Sequence, residues 1–365
     1  MYKNEKIDYI YIIIAFIILL LGSVLVFKTK IKTVNEYSNL QLQAAIIMEK
    51  SETFITEYII KNEIEFEVED INNIGLIGPE WSELTTTPGN VDAKRTSLNP
   101  NFAALIVHYF IQADIKEGDT IAIGSSGSFP ALLIATLSAC KVMNIKANII
   151  ISFGSSMHGA TRPDFNIATI VNILKKEGFF DFNLIAVSPG GKNDYGVGVL
   201  EEILYSGTRD TVLTLCTQQN VEIIDFNDIE KSIQRRLELF GVDTSMFVNI
   251  GGASANLGTS AYTLDFPQGL VMSAPRIPIS KTRGLTYEYA TKGIPVLNLL
   301  NVRKLASENG LAYDPVPLSK AGEGDVYFTF VYNKILIIFT IFFSILTILF
   351  GYISKKISNR NSSNS

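Results

Sequence analysis

The sequence predicts an α/β fold, a three-layer parallel-sheet domain held between N- and C-terminal transmembrane helices. Three observations predict it. Both ends carry long apolar runs without a charge, Tyr9–Phe27 and Ile335–Ser354. Between them, short continuous apolar stretches alternate with helical ones, the pattern of parallel strands covered on both faces. Four of those stretches run into Gly/Ser-rich loops, which a parallel sheet gathers along its carboxyl edge.

Each terminal run can cross about 30 Å of hydrocarbon as a helix rising about 1.5 Å per residue. The chain of 365 residues is 47% hydrophobic, and the excess sits in these runs. The first is longer than a signal-peptide core, and no small-x-small site follows it in VLVFKTKIK, so it reads as an uncleaved anchor. Lys355, Lys356 and Arg360 follow the second run, against Lys334 before it, which places the C-terminus in the cytoplasm. Lys3 and Lys6 before the first run, against Lys28, Lys30 and Lys32 after it, argue weakly the other way. The expected organisation is a cytoplasmic N-terminus (1–8), a span (9–27), a juxtamembrane helix (33–64), an extracytoplasmic α/β domain (65–330), a second span (335–354) and a cytoplasmic tail (355–365). The membrane is the cytoplasmic one.

After the first span, Val34 to Lys61 sets Leu40, Ile47, Phe54, Ile55 and Ile59 among Gln and Glu, an amphipathic helix. Glu65 to Pro100, with three prolines and the only tryptophan, Trp81, reads as an ordered loop over the domain, either lining a site or wrapping a surface. A helix over 101–114 follows. Strands are then expected at 120–123, 147–153, 183–187, 221–225, 246–250 and 294–300, with helices at 129–144, 167–177, 200–219, 228–240 and 302–309.

The strand at 120–123 leads into Gly124, Ser125, Ser126, Gly127 and Ser128 ahead of a helix. Such a turn offers free N–H groups and a positive dipole end to a phosphate, carboxylate or oxyanion. The other reading is a tight turn in which Ser128 caps the helix. The other three loops bring Ser155, Ser156 and His158; Gly190, Gly191, Asn193 and Asp194; and Gly251 and Gly252. Apart from Ser128 and His158, these residues together with Lys94, Arg95, Arg162 and Asp164 form the expected ligand-binding set. Ser128 and His158 are the candidate catalytic pair, with Asp164 or Asp194 to orient the imidazole. Arg276, Lys281 and Arg283 form a further basic stretch, either meeting an anion or simply solvated.

Other chemistries find little support. There are two histidines, His108 and His158, and no HExxH pattern, so no metal is expected. Cys140 and Cys216 lack metal or redox spacing and read as buried free thiols, with a single disulfide between them the alternative. GSSGS does not match the G-x-S-x-G elbow, GxGxxG spacing fails, and no P-loop lysine follows a glycine loop. No cofactor is expected. Net charge is −5 with dispersed cations, which leaves no nucleic-acid footprint.

The segments LIGPEW (76–81), TTTPGNVDAKRTSLNPNFAAL (85–105), IGSSGSFPAL (123–132) and GSSMHGATRPDF (154–165) together resemble the membrane-anchored poly-gamma-glutamate system protein family, found beside the capsule ligase and its membrane partners. The resemblance covers nearly the whole chain. It implies a bacterial cell-surface role in making or exporting poly-gamma-glutamate, with the poly-gamma-glutamate synthase membrane complex and the anionic γ-glutamyl polymer as partners. It carries no catalytic residues across. The alternating units are also similar, at the level of fold, to Rossmann-like, sugar-isomerase (SIS-like) phosphosugar-binding domains. The expected function is thus that of an accessory protein with an anion-binding pocket. The alternatives are a serine-type hydrolase, amidase or transferase acting on the polymer, and a structural assembly subunit.

Overall fold

The computed structural model describes residues 8–198, 208–274 and 276–361. The chain begins with α1 (Tyr9–Lys28) and β1 (Ile31–Val34). The central unit then runs through α2 (Ser38–Lys61), β2 (Thr85–Thr87), α3 (Val91–Ser97), α4 (Asn101–Gln112), β3 (Thr120–Ser126), α5 (Pro130–Met143), β4 (Lys146–Ser152) and β5 (Ser155–Ser156). It continues with α6 (Ile167–Lys176), β6 (Asn183–Ser188), α7 (Thr208–Thr217), β7 (Glu222–Ile223), α8 (Ile229–Phe240), β8 (Met246–Ile250) and α9 (Ser254–Leu257). It closes with β9 (Gly269–Val271), α10 (Leu285–Thr291), β10 (Val296–Leu299) and α11 (Val302–Glu308). The chain ends with β11 (Phe328–Val331) and α12 (Lys334–Asn361).

The fold is mixed α/β around a mostly parallel seven-stranded sheet, ordered β7-β6-β4-β3-β8-β10-β9, with β9 alone antiparallel. From β3 the chain steps outward through β4, β6 and β7, then returns to the other side of β3 as β8 and β10. The reversal point therefore lies between β3 and β8, and a crevice opens outside their carboxyl ends. Three strands lie beyond β3 on one side, one more than in the usual dinucleotide-binding order.

Short apolar strands suit this sheet because both faces are covered. Ala122, Ile150, Ala186, Phe247 and Val296 form one face, packed against Ile229, Ile233 and Phe240 of α8 and Tyr287 and Tyr289 of α10. Phe247 stacks on Tyr289 at 4.9 Å between ring centroids. Right-handed crossovers put α5, α6 and α7 on the opposite face, over Ile121, Ile123, Ile149 and Ile151, all fully buried. Each large buried side chain contributes roughly 1.5–3 kcal/mol. Local signals fix the helix ends: Asn166 accepts from the Ala168 and Thr169 N–H groups, Asp228 does the same for α8, and α5 stops at Asn144 with φ +53°.

Several expected boundaries move. β3 runs on to Ser126 rather than stopping at Ile123, because Gly124 and Ser125 stay in register with Ile150 and Ile151 on one side and Asn249 and Ile250 on the other. The first Gly/Ser segment is thus largely strand. α5 starts at Pro130, and its N-cap Phe129 makes no side-chain capping bond, so Ser128 does not cap it. The helix expected over 200–219 appears as α7, and residues 199–207 lie outside those described. Val34 belongs to β1, so the juxtamembrane helix begins at Ser38. Cys140 and Cys216 are buried free thiols, not a disulfide, and burial raises the pKa of both.

Residues 8–35 and 328–361 form a separate compact unit. β1 pairs antiparallel with β11, Ile31 opposite Val331 and Val34 opposite Phe328. α1 and α12 lie side by side in opposite directions. Tyr11 meets Phe350 edge-on at 6.0 Å, and Ser344 Oγ donates to the Ala15 carbonyl at 3.3 Å. Glycine permits this approach: a Cβ on Gly22 collides with Thr340, and one on Gly351 meets the Tyr11 ring at 2.6 Å. Small residues at the seam are how helices associate where the surroundings are as apolar as the side chains. Both helices are long and apolar enough to cross a membrane.

Candidate functional site

A cavity of about 870 Å³ opens at the carboxyl edge of the sheet, over the reversal point. Five strand ends feed it. Ser126, Ser128 and Phe129 follow or end β3; Ser152, Gly154 and Ser156 end or follow β4; Gly190, Gly191 and Lys192 follow β6. Gly252, Ala253 and Ser254 follow β8, and Leu300, Asn301, Val302 and Arg303 follow β10. The segment from Thr86 to Lys94 closes one wall, joined by Leu264, Gln268 and Tyr313. Of the two readings of the 65–100 loop, this is the site-lining one for its β2–α3 part. Among the described residues, the lining holds Lys94, Lys192 and Arg303 and no carboxylate.

Glycine lets the loops crowd together. A Cβ on Gly154 meets the Gly191 backbone nitrogen at 2.7 Å, so the loops after β4 and β6 touch only because residue 154 has none. β5 pairs with β2, Thr85 opposite Ser155, which ties the loop after β4 to the wall that carries Lys94.

Lys94 sits on α3, whose first turn is capped by Asn90 accepting from the Ala93 N–H. Its side chain is almost wholly buried, yet it reaches the cavity. Nζ donates to the Ser128 carbonyl, lies 2.6 Å from Ser156 Oγ and stands 3.9 Å over the Phe129 ring. Burial lowers its pKa from 10.5 to about 7, with no carboxylate among the described residues ion-paired to it to hold the proton. Arg303 lies 4.6 Å over the Tyr313 ring, and Lys192 is exposed at the cavity rim.

The sequence-predicted residues divide. Lys94, Ser126, Ser128, Ser156, Gly190, Gly191 and Gly252 line the cavity. Gly124, Ser125, Gly127, Ser155 and Gly251 lie just behind it without lining it. Gly124 is inside β3, where a Cβ would fall 2.6 Å from the Asn256 amide. That amide belongs to a buried ladder: Asn256 Nδ2 donates to the Gly124 carbonyl and to Asn249 Oδ1, and Asn249 Nδ2 donates to Asn298 Oδ1. Ser125 and Ser155 turn their hydroxyls to the Ser126 and Ser156 carbonyls.

The other expected ligand contacts are placed elsewhere. Arg95 pairs with Asp314 at 2.6 Å and Asp92 at 2.8 Å, and Asp314 chiefly raises its pKa. Arg162 bonds the Glu65 carbonyl and the Glu67 carboxylate. Asp164 and Asn193 are exposed and outside the cavity. Asp194 is fully buried against Arg236, since a buried guanidinium needs a counter-charge. In the basic stretch, Arg283 pairs with Glu288 and Lys281 with Glu230; Pro275 lies outside the described residues.

The expected Ser128–His158 pair does not assemble. No hydrogen bond joins the two among the described residues, and His158 does not line the cavity. Its Nδ1 is buried without a partner. Asp164 is exposed and outside the cavity and Asp194 is bound to Arg236, so neither orients it. Ser128 Oγ instead accepts the Ser156 N–H at 3.0 Å. Residues that sequence reasoning missed are Lys192, Arg303, Asn301 and Ser254; Arg303 lay within reach of the strand-end rule, had it been applied to β10 as well.

Among the described residues, no group of three or more His, Cys, Asp or Glu is placed to hold a metal ion. Set against known protein families, characterised proteins and solved structures, the chain shows no match.

Proposed function

We propose that this chain is a membrane-tethered accessory protein of poly-gamma-glutamate synthesis or export, whose cavity receives γ-glutamyl carboxylates. One observation carries the reading: in a chain of net charge −5, the cavity gathers Lys94, Lys192 and Arg303, with no acidic side chain among its described lining residues. Cations of one sign in a concave site raise the local concentration of anions, and Ser hydroxyls and glycine backbone supply neutral donors around them. The motif resemblance at 76–81, 85–105, 123–132 and 154–165 and the two apolar terminal helices support the same reading, as does the fold-level likeness to SIS-type anion-binding domains. In this proposal the helices span the cytoplasmic membrane, the α/β unit is extracytoplasmic, and the synthase membrane complex is the partner.

The test is calorimetric titration of the detergent-solubilised full chain with short γ-glutamyl oligomers and with their side-chain amides. Binding of the acid form, weakened in a Lys192→Ala/Arg303→Ala chain, is the expected result. Equal binding of acid and amide forms, or binding of neither, overturns the reading.

A further inference from the structure

We infer that Lys94 and Ser156 form a serine–lysine dyad, and that the cavity performs acyl transfer to water from an amide whose acyl portion carries a carboxylate. The substrate class rests on the anion-binding reading above; the dyad rests on its own geometry.

Among the described residues five serines line the cavity, and four of them are committed; Ser254 Oγ donates to the Gly191 carbonyl. Ser126 Oγ accepts the Ser128 N–H, and Ser128 Oγ accepts the Ser156 N–H. Ser152 Oγ is held by Ser188 and Arg236. Ser156 differs. The residue is partly exposed and lines the cavity, and Lys94 Nζ at 2.6 Å is the hydrogen-bond partner of its hydroxyl among the described residues. A nucleophilic hydroxyl needs a base within about 2.6–3.2 Å. The base must also give up its proton near neutral pH, which an ordinary lysine does not do. Lys94 meets that need because burial favours its uncharged form, and the other groups around its Nζ, the Ser128 carbonyl and Phe129 ring, bear no formal charge. Lysine in this role is a known variant of serine catalysis.

The reaction balances with these groups and water. Ser156 Oγ bonds to the amide carbonyl carbon as its proton passes to Lys94 Nζ. The C–N bond then breaks, and Lys94 returns the proton to the departing amine, leaving an acyl-serine ester. Water attacks that ester, Lys94 takes a proton from it, and the C–Oγ bond breaks as Oγ recovers the proton. A carboxylic acid and an amine leave. Lys192 and Arg303 face the carboxylate of the acyl portion.

The experiment treats the detergent-solubilised full chain with a fluorophosphonate and locates the adduct by peptide mass spectrometry. The expected result is modification of Ser156, abolished in Ser156→Ala, slowed at least about 100-fold in Lys94→Arg or Lys94→Met, and unchanged in His158→Asn. No adduct on Ser156, or an unchanged rate in a folded Lys94 variant, overturns the dyad. Titration with γ-glutamyl oligomers separates the two readings. Oligomer binding without a Ser156 adduct removes the dyad and keeps the anion site; a Ser156 adduct without oligomer binding supports the dyad and removes the γ-glutamyl assignment.

Discussion

Asp194 Oδ2 lies 2.6 Å from Arg236 Nη2, and neither side chain is exposed at all. Ser188 Oγ bridges the pair, donating to Asp194 Oδ1 at 2.7 Å and accepting from Arg236 at 2.6 Å. This cluster holds the loop after β6, which brings Gly190, Gly191 and Lys192 to the cavity. Asp194→Ala leaves the guanidinium buried without a counter-charge and is expected to cost about 3–5 kcal/mol. The apolar pair Asp194→Leu/Arg236→Met should recover much of that loss. Denaturant unfolding of the three chains checks both statements.

Gly124 and Gly252 are both glycines near the site, but they answer to different constraints. Gly124→Ala pushes into the Asn256 amide and is expected to lose about 1–3 kcal/mol by overpacking. At Gly252 an added Cβ meets only Leu300, at 3.9 Å, so Gly252→Ala should fold normally and affect ligand binding alone. Melting temperatures of the two variants distinguish these roles.

Lys94 gives the cavity a pH dependence. Its folded pKa of about 7 lies below the ordinary 10.5, so the cavity carries the Lys94 charge below about pH 7 and loses it above. The Arg303 guanidinium, its pKa raised by the Tyr313 hydroxyl, stays charged across that range. Affinity for an anionic oligomer is therefore expected to fall about tenfold between pH 6 and 8.5, one charge-assisted contact's worth. Stability has the opposite slope: the cost of burying the ammonium is full below pH 7 and fades as pH rises toward 10.5. Titrations and thermal melts at both pH values read the two effects.

Glu52 on α2 behaves the other way. Burial, then Glu49 and Asp70, raises its pKa well above 4.5, and its Oε1 has no hydrogen-bond partner. The folded chain keeps this proton at pH values where the unfolded chain has lost it. The resulting stability is full below the unfolded pKa and is lost as pH rises through the folded one. Glu52→Gln should raise the melting temperature at pH 7.5 and change little at pH 4, as calorimetry at both pH values can establish.

The seam between α1 and α12 depends on Gly22 and Gly351. Gly22→Leu drives a side chain into Thr340 and is expected to separate the helices. An engineered Ala15→Cys/Ser344→Cys pair reports this, crosslinking in the parent and failing to do so beside Gly22→Leu.

Much of the architecture was readable because it rests on local pattern. β8 falls at Met246–Ile250 as expected, a short apolar run between turn residues, and Asn166 and Asp228 announce α6 and α8 through their caps. Glycine and serine misled at 124–126, because a strand end and a turn can share a composition and only the neighbouring strands decide. The site's chemistry was hidden in long-range choices. Arg95 and Lys94 are adjacent, yet one pairs with Asp314, half-buried, and the other is buried beside Ser156, 62 residues on. Arg162 likewise looked free until Glu67 supplied its partner. β9 and the β1–β11 ribbon are too short to carry periodicity.

The β1–β11 ribbon also dictates an order of events during synthesis. Thr33 Oγ1 donates to the Thr329 carbonyl across 296 residues, so the ribbon and the helix pair beyond it can form only after the intervening chain has been made. Until then α1 stands alone with Ala15 and Gly22 uncovered, while the sheet, whose pairings all lie within the intervening chain, is free to fold first. A chain lacking β11 and α12 holds every strand of the sheet and leaves its first helix unmatched. α12 thus covers the small-residue seam of α1 only after every strand of the sheet has been made.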